Sequence, residues 1–254
     1  MGGRVRGAVA LLTAVSLVAA LLVTGGLLFG DLASGGGPSG PKTAVIVDQL
    51  SLTQPNQAFV EEATATLERG GYVVDYFPGE EVTVEFYREL PTHGYDIIVL
   101  RSHAGRLEYS DSGRLTEIVG LFTSDPYDRE TYYEEQLAGR LAFAYYNEGG
   151  PLYFGVLPEF IRSAMRGDFD GATIVMMGCD GLRSRDTAEA FLERGAGAFV
   201  SWSDQVSAAH TDAATERLLE RLLLDGLTVA EAVRETAAEV GPDPVYNAEL
   251  RVLQ

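Results

Sequence analysis

Residues 172–181 read "ATIVMMGCDG", and their reading decides how the rest of the chain is arranged. An unbroken apolar run of this length is the pattern of a strand buried on both faces, as in a parallel sheet. The run ends in Gly178-Cys179-Asp180-Gly181, a turn that carries the only cysteine in 254 residues. Such a strand needs neighbours of its own kind, and the chain supplies them outward from it. "TAVIVDQ" (43–49), "YVVDYF" (72–77), "YDIIVLRS" (95–102) and "GAFVSW" (197–202) read as further strands, and "AELRVLQ" (248–254) closes the sheet. Between them lie amphipathic stretches. Asn56 is placed to cap "QAFVEEATATLERGG" (57–71), whose glycines end the helix. "VEFYREL" (84–90), "LPEFIRSAMRG" (157–167), "TAEAFLERG" (187–195), "DAATERLLERLLLDG" (212–226) and a Thr228-capped "TVAEAVRETAAEVG" (228–241) complete the set. This alternation predicts an α/β fold, a doubly wound and mostly parallel sheet with helices on both faces. The stretch 106–170 is less regular. Its "EIVGLFT" (117–123) and "RLAFAYY" (140–146) are expected as a hairpin outside the main sheet.

Composition narrows the function classes. With 37 acidic against 19 basic residues the net charge is -18, whereas a nucleic-acid surface needs clustered Lys and Arg, so that partner is not expected. One cysteine excludes an intrachain disulfide, and no spacing of Cys and His suggests zinc. No motif asks for a metal or another cofactor. Gly7 to Gly30 is a stretch of 24 residues without a charge, preceded by Arg4 and Arg6 and followed by Asp31. As a helix it spans about 36 Å, enough for the hydrocarbon core of a bilayer. The expected organisation is a short cytoplasmic N-terminus (1–6), a transmembrane signal anchor (7–30), a flexible Gly/Ser/Pro linker (31–42) and an α/β domain (43–254). By the positive-inside rule the domain is extracytoplasmic, on a single-pass protein of the cell membrane. A cleaved signal peptide is the alternative.

In open parallel sheets, ligands bind at the carboxyl ends of the strands. "LRSHAGR" puts His103 at that edge after one strand, and the quoted turn puts Cys179 at the same edge after another. A thiol with an ordinary pKa of about 8.5 needs a base or cation beside it to attack a carbonyl at neutral pH. It also needs backbone N–H groups aimed at the developing oxyanion, and Gly105 and Gly178 stand where such donors are wanted. His93, in "ELPTHGYD", reads as a surface turn residue. His210, in "SAAHTDAA", sits near a helix start as a cap neighbour or a substrate contact.

"SHAG" after a buried strand, then "IVMMGCDG", then "AEAFLERGAGAFVSWSDQVSAAHTDAATERLLERLLLDGLTVAEAVRET" resemble the caspase-like cysteine peptidases, most of all CHAT and gingipain-type domains. The resemblance covers residues 44 to about 240 in order. It implies a caspase-like fold, with Cys179 as nucleophile and His103 as general base or acid. The backbone at Gly105 and Cys179 would form the oxyanion hole, and Trp202, Ser203 and Asp204 would line the pocket for the residue before the scissile bond. Where that group has His followed directly by Gly, this chain has Ala104 before Gly105.

The leading expectation is therefore a membrane-anchored cysteine endopeptidase that acts on a peptide or protein through a thioester acyl-enzyme. Asp204, Asp180 and Asp48 are candidate carboxylates for a basic-residue pocket. A caspase-like binding or assembly module at the membrane, without catalysis, is the alternative. A cysteine hydrolase of the nucleophile-elbow type fits less well: it needs Gly at position 177, where Met177 stands, and its histidine lies downstream.

Overall fold

The computed structural model describes residues 40–111 and 114–254. The expected anchor at 7–30, the residues before it and residues 31–39 of the linker lie outside that range. Among the described residues no helix is long and apolar enough to cross a membrane.

Six strands form the main sheet. β1 (Lys42–Asp48), β2 (Tyr72–Pro78), β3 (Ile97–Arg101), β8 (Thr173–Met176) and β9 (Ala198–Trp202) run parallel, and β10 (Leu250–Leu253) is antiparallel at the edge. Their spatial order is β10-β9-β8-β3-β1-β2. Every residue of β3 is buried, as an apolar run in a covered sheet requires. Strand alternation sends Ala44 and Ile46 to one face and Val45 and Val47 to the other. The first face is covered by α1 (Gln57–Arg69), α6 (Ala208–Leu223) and α7 (Val229–Val240), through side chains such as Phe59, Leu218 and Val233. The second is covered by α2 (Val84–Glu89), α4 (Pro158–Ser163) and α5 (Asp186–Glu193), through Tyr87, Phe160 and Phe191. Caps are where the sequence puts them. Asn56 accepts from the Phe59 N–H, and Thr228 and Glu231 form a reciprocal capping box.

The irregular middle is a second, antiparallel sheet: β4 (Ala104–Asp111), β5 (Arg114–Pro126), β6 (Leu141–Ala144) and β7 (Tyr153–Val156), in the order β4-β5-β7-β6. The expected hairpin is corrected here. β5 and β6 do share a sheet outside the main one, but β7 lies between them and pairs with both. The short helix α3 (Tyr133–Leu137) lies in the β5–β6 connection. Val119, Leu121, Leu141, Phe154 and Val156 turn one face of this sheet onto the α2/α4/α5 core. The chain enters β4 directly from His103, so the second sheet grows from the carboxyl edge of the first.

Candidate functional site

β3 and β8 are hydrogen-bonded neighbours, with Ile97 to Leu100 opposite Thr173 to Met176. Their continuations leave the sheet side by side, and the Met177 N–H still donates to Leu100 O at 2.9 Å. Gly178 follows because nothing larger fits: a Cβ there would stand 2.5 Å from Ser102 O. This close passage brings His103 and Cys179 onto one cleft of about 370 Å³, walled also by Leu50, Val206, Thr211 and Tyr246.

His103 is held from several directions. Its N–H donates to the buried Gln49 Oε1 at 3.0 Å, and Gln49 Nε2 donates to Tyr146 Oη at 2.6 Å. The imidazole packs on the Tyr146 and Phe122 rings, at 4.7 and 5.8 Å between centroids. Nε2 lies 2.7 Å from Thr53 Oγ1, while Nδ1 makes no hydrogen bond among the described residues. Burial first, and the Arg101 guanidinium second, pull the imidazole pKa down to about 4, so the ring is neutral at pH 7.

Cys179 is partly buried, and its Sγ–H points to Val206 O at 3.7 Å. Burial is the main cause that pushes this thiol above its ordinary pKa, and the negative charges of Asp180, Asp243 and Asp204 add to it. The Val206 contact opposes them. The resting pair is thus neutral thiol and neutral imidazole. No hydrogen bond joins the two among the described residues. Alkylation of Cys179 by iodoacetamide is expected to keep accelerating through pH 9, since only the thiolate reacts; a plateau below pH 8 contradicts this electrostatic picture. His103 has the complementary effect on stability. Its folded pKa lies below the unfolded value of about 6.5, so its contribution is complete above pH 6.5 and is lost as pH falls toward 4.

The main-chain N–H groups expected to serve an oxyanion, those of Gly105 and Cys179, have different surroundings. Phe122 N–H donates to His103 O at 3.1 Å, which makes His103 and Phe122 a hydrogen-bonded pair at the start of the β4–β5 ladder. Pairs alternate in antiparallel sheets, so Gly105, opposite Gly120, has its N–H in the ladder. Ala104 is the residue whose N–H turns off the free edge of β4, beside Gly178. The Cys179 N–H makes no hydrogen bond among the described residues. The register thus places the Gly105 N–H in the ladder, while the Ala104 and Cys179 N–H groups lie outside it.

Among the expected pocket residues, Asp180 lines a cleft. It shares a second cavity, of about 390 Å³, with Ala104, Gly105, Arg106, Cys179 and Gln205. Asp204 stands beside it, its main-chain O accepting from the Asp180 N–H and its carboxylate paired with Arg183 at 2.7 Å. Trp202 is buried one layer back. Its Nε1–H donates to Thr211 Oγ1, which in turn donates to Met177 O. Ser203 is tied to the β10 side, exchanging hydrogen bonds with Glu249. Asp48 is inside the protein, only 1% exposed. It is the register partner of Arg101, whose Nη1 it binds at 2.7 Å. Asp212 of α6 grips the same guanidinium from the other side, at 2.8 and 2.9 Å. His210 lies against the Trp202 ring and His93 stacks on Tyr95; neither lines these cavities.

Several residues that shape the site carry no sequence signal. Thr53, Gln49 and Tyr146 reach His103 from loops after β1 and β6. Asp243 accepts from Ser207 Oγ and from the Ser207, Val245 and Tyr246 N–H groups, which pulls its pKa down to about 2 and fixes the loops holding Val206 and Tyr246. Among the described residues no cluster of His, Cys, Asp and Glu is arranged to hold a metal ion. No protein-family model matches the chain, and no curated protein matches it. The functional reading rests on this geometry and on the residues themselves.

Proposed function

We propose that the chain is a cysteine endopeptidase of caspase-like fold, tethered to the membrane by its N-terminal apolar segment. One observation carries the reading: the neighbouring ends of β3 and β8 bring the single cysteine and His103 onto one cleft. In this reading Cys179 Sγ attacks the scissile carbonyl carbon while its proton passes to His103 Nδ1, the nitrogen that Thr53 leaves free. The imidazole is neutral and can accept that proton, although its low pKa makes it a weak base toward a thiol at pH 7. The Ala104 and Cys179 N–H groups face the developing oxyanion. Collapse breaks the C–N bond, His103 returns the proton to the leaving amine, and a thioester remains on Cys179. Water, deprotonated by the same histidine, then releases the acid and restores the thiol.

The alternative, a binding or assembly module without catalysis, is favoured by the protonated thiol and by the absence of a direct Cys179–His103 hydrogen bond among the described residues. Incubating the full-length chain with a proteome-derived peptide library and reading new N-termini by mass spectrometry separates the two. New termini that vanish with Cys179→Ala are expected; a library left uncut by the wild type favours the module.

A further inference from the structure

The outer face of the second sheet carries a cavity that continues the site past His103. His103 and Phe122 stand opposite one another at the start of the β4–β5 ladder. The next pair on the same face, two residues or about 7 Å along, is Gly105 and Gly120, and Leu107 and Ile118 follow it. β7 and β6 extend this face with Gly155, the register partner of both Phe122 and Ala142, and with Ala144. The glycines make room for larger neighbours. A Cβ on Gly105 would stand 3.0 Å from Phe122 Cε1, and one on Gly120 3.0 Å from Leu157 Cδ2. Without those carbons the Phe122 and Leu157 side chains lie against the sheet. The result is a cavity of about 340 Å³ over the three glycines, with Leu107, Phe122 and Leu157 among its walls.

We propose that this cavity receives an apolar side chain of the peptide on the leaving-group side, that of the residue following the scissile bond. The identity of the occupant rests on the peptidase reading; the presence of a site for an apolar side chain does not. Position and chemistry both point to this occupant. His103 hands its proton to the leaving amine, so the residue that carries the amine lies beside the imidazole. From there the outer face leads over Gly105 and Gly120 into the cavity. The cavity also shares Gly105 and Arg106 with the one that holds Cys179, so a single extended segment reaches both. Of the described residues that line it, Arg106 alone carries a charge. Alternation turns that side chain to the opposite face of β4, where its Nε lies 3.4 Å from Asp180 Oδ2. A polar or charged side chain placed over the glycines would lose water without gaining a partner, whereas an apolar one gains by burial.

The test uses the full-length chain and three tripeptide amides with free amino termini, which stand for the leaving-group product. They begin with leucine, glycine or aspartate and end in two alanines, and binding is read by calorimetry. The leucine peptide is expected to bind about tenfold tighter than the other two, or more, as burial of one such side chain supplies. Ala142 and Ala144 lie on the cavity face, Ala144 beside Gly155. Ala142→Leu and Ala144→Leu each add a side chain there and should cut the leucine advantage below about threefold. The glycine peptide should bind both variants as it binds the wild type, which shows that the rest of the site is intact. The two positions are separate, so a variant that fails to fold leaves the other to decide. A leucine peptide that binds the wild type no better than the glycine peptide, or an advantage that survives the substitutions, overturns the site. A groove filled by a second copy of the chain, seen as a dimer by light scattering that the leucine peptide does not dissociate, overturns it too. Calorimetry needs no bond cleavage. A protein that favours leucine in this pattern yet cuts nothing in the peptide library keeps the apolar site and loses the peptidase reading. One that cuts the library without preference for an apolar residue after the bond, and binds the three peptides alike, does the reverse.

Discussion

Cys179→Ala is expected to abolish peptide hydrolysis, lowering kcat by a factor on the order of 10⁴ to 10⁶, as loss of a nucleophile does in other covalent hydrolases. The size follows from the chemistry. Without Sγ there is no thioester, and water must attack the amide directly with only the oxyanion donors and substrate binding to help. His103→Ala is expected to fall in the same range on amide substrates, because the leaving amine then departs unprotonated. In the proposed mechanism the two losses should not add, since both residues would serve one proton-coupled attack. The measurement is kcat and KM on a peptide cut by the wild type, for both single variants and the double variant. A Cys179→Ala enzyme that keeps more than about a hundredth of the rate removes the nucleophile from the mechanism.

The second large effect is on stability. Arg101 is 0% exposed and its guanidinium binds Asp48 from β1, Asp212 from α6 and the main-chain O of Gln54. Asp212 also accepts from Asn56, the cap of α1. Breaking a buried ion pair by removing one partner costs about 3–5 kcal/mol, because the remaining charge stays buried. Arg101→Met leaves two carboxylates in that position, so the upper part of the range is expected, read from urea or thermal unfolding of the full-length chain. The triple variant Arg101→Met/Asp48→Asn/Asp212→Asn should recover much of the loss, since no buried charge remains. A single variant that unfolds within about 1 kcal/mol of wild type means that solvent reaches these carboxylates.

The parallel core was legible because its signals are local. β1, β3 and β8 carry the apolar runs 44–47, 97–100 and 174–176, and Asn56 and Thr228 sit three residues before the N–H groups they cap. β4 and β7 were not legible as parts of a sheet. "AGRLEYSD" follows His103 without any turn signal, "YFGV" is four residues long, and neither reveals its strand partner. Choice of partner is a tertiary matter, and β7 enters between β5 and β6 because Phe154 and Val156 complete the core there. At the site, the carboxyl-edge rule located both His103 and Cys179. Asp48, named as a candidate carboxylate for a basic-residue pocket, is buried instead. It does lie at the end of β1, but its register partner is Arg101 and the loop before α1 closes over both. Gly105, expected to offer its N–H to an oxyanion, lies within β4 opposite Gly120, a pairing that the sequence does not announce. Thr53, Gln49, Tyr146 and Asp243 come to the site from distant loops, and only the folded chain brings them there.

The most direct measurement of the pair uses p-nitrophenyl acetate, whose leaving group needs no proton, with the full-length chain quenched in acid and mapped by mass spectrometry. A transient acetyl group on Cys179 is expected in the wild type. In His103→Ala, where both steps have lost their base, it should form more slowly and then persist, and in Cys179→Ala it should be absent. An acetyl group that never appears on Cys179, or that leaves the His103→Ala protein as fast as the wild type, means that these two residues do not work as nucleophile and base.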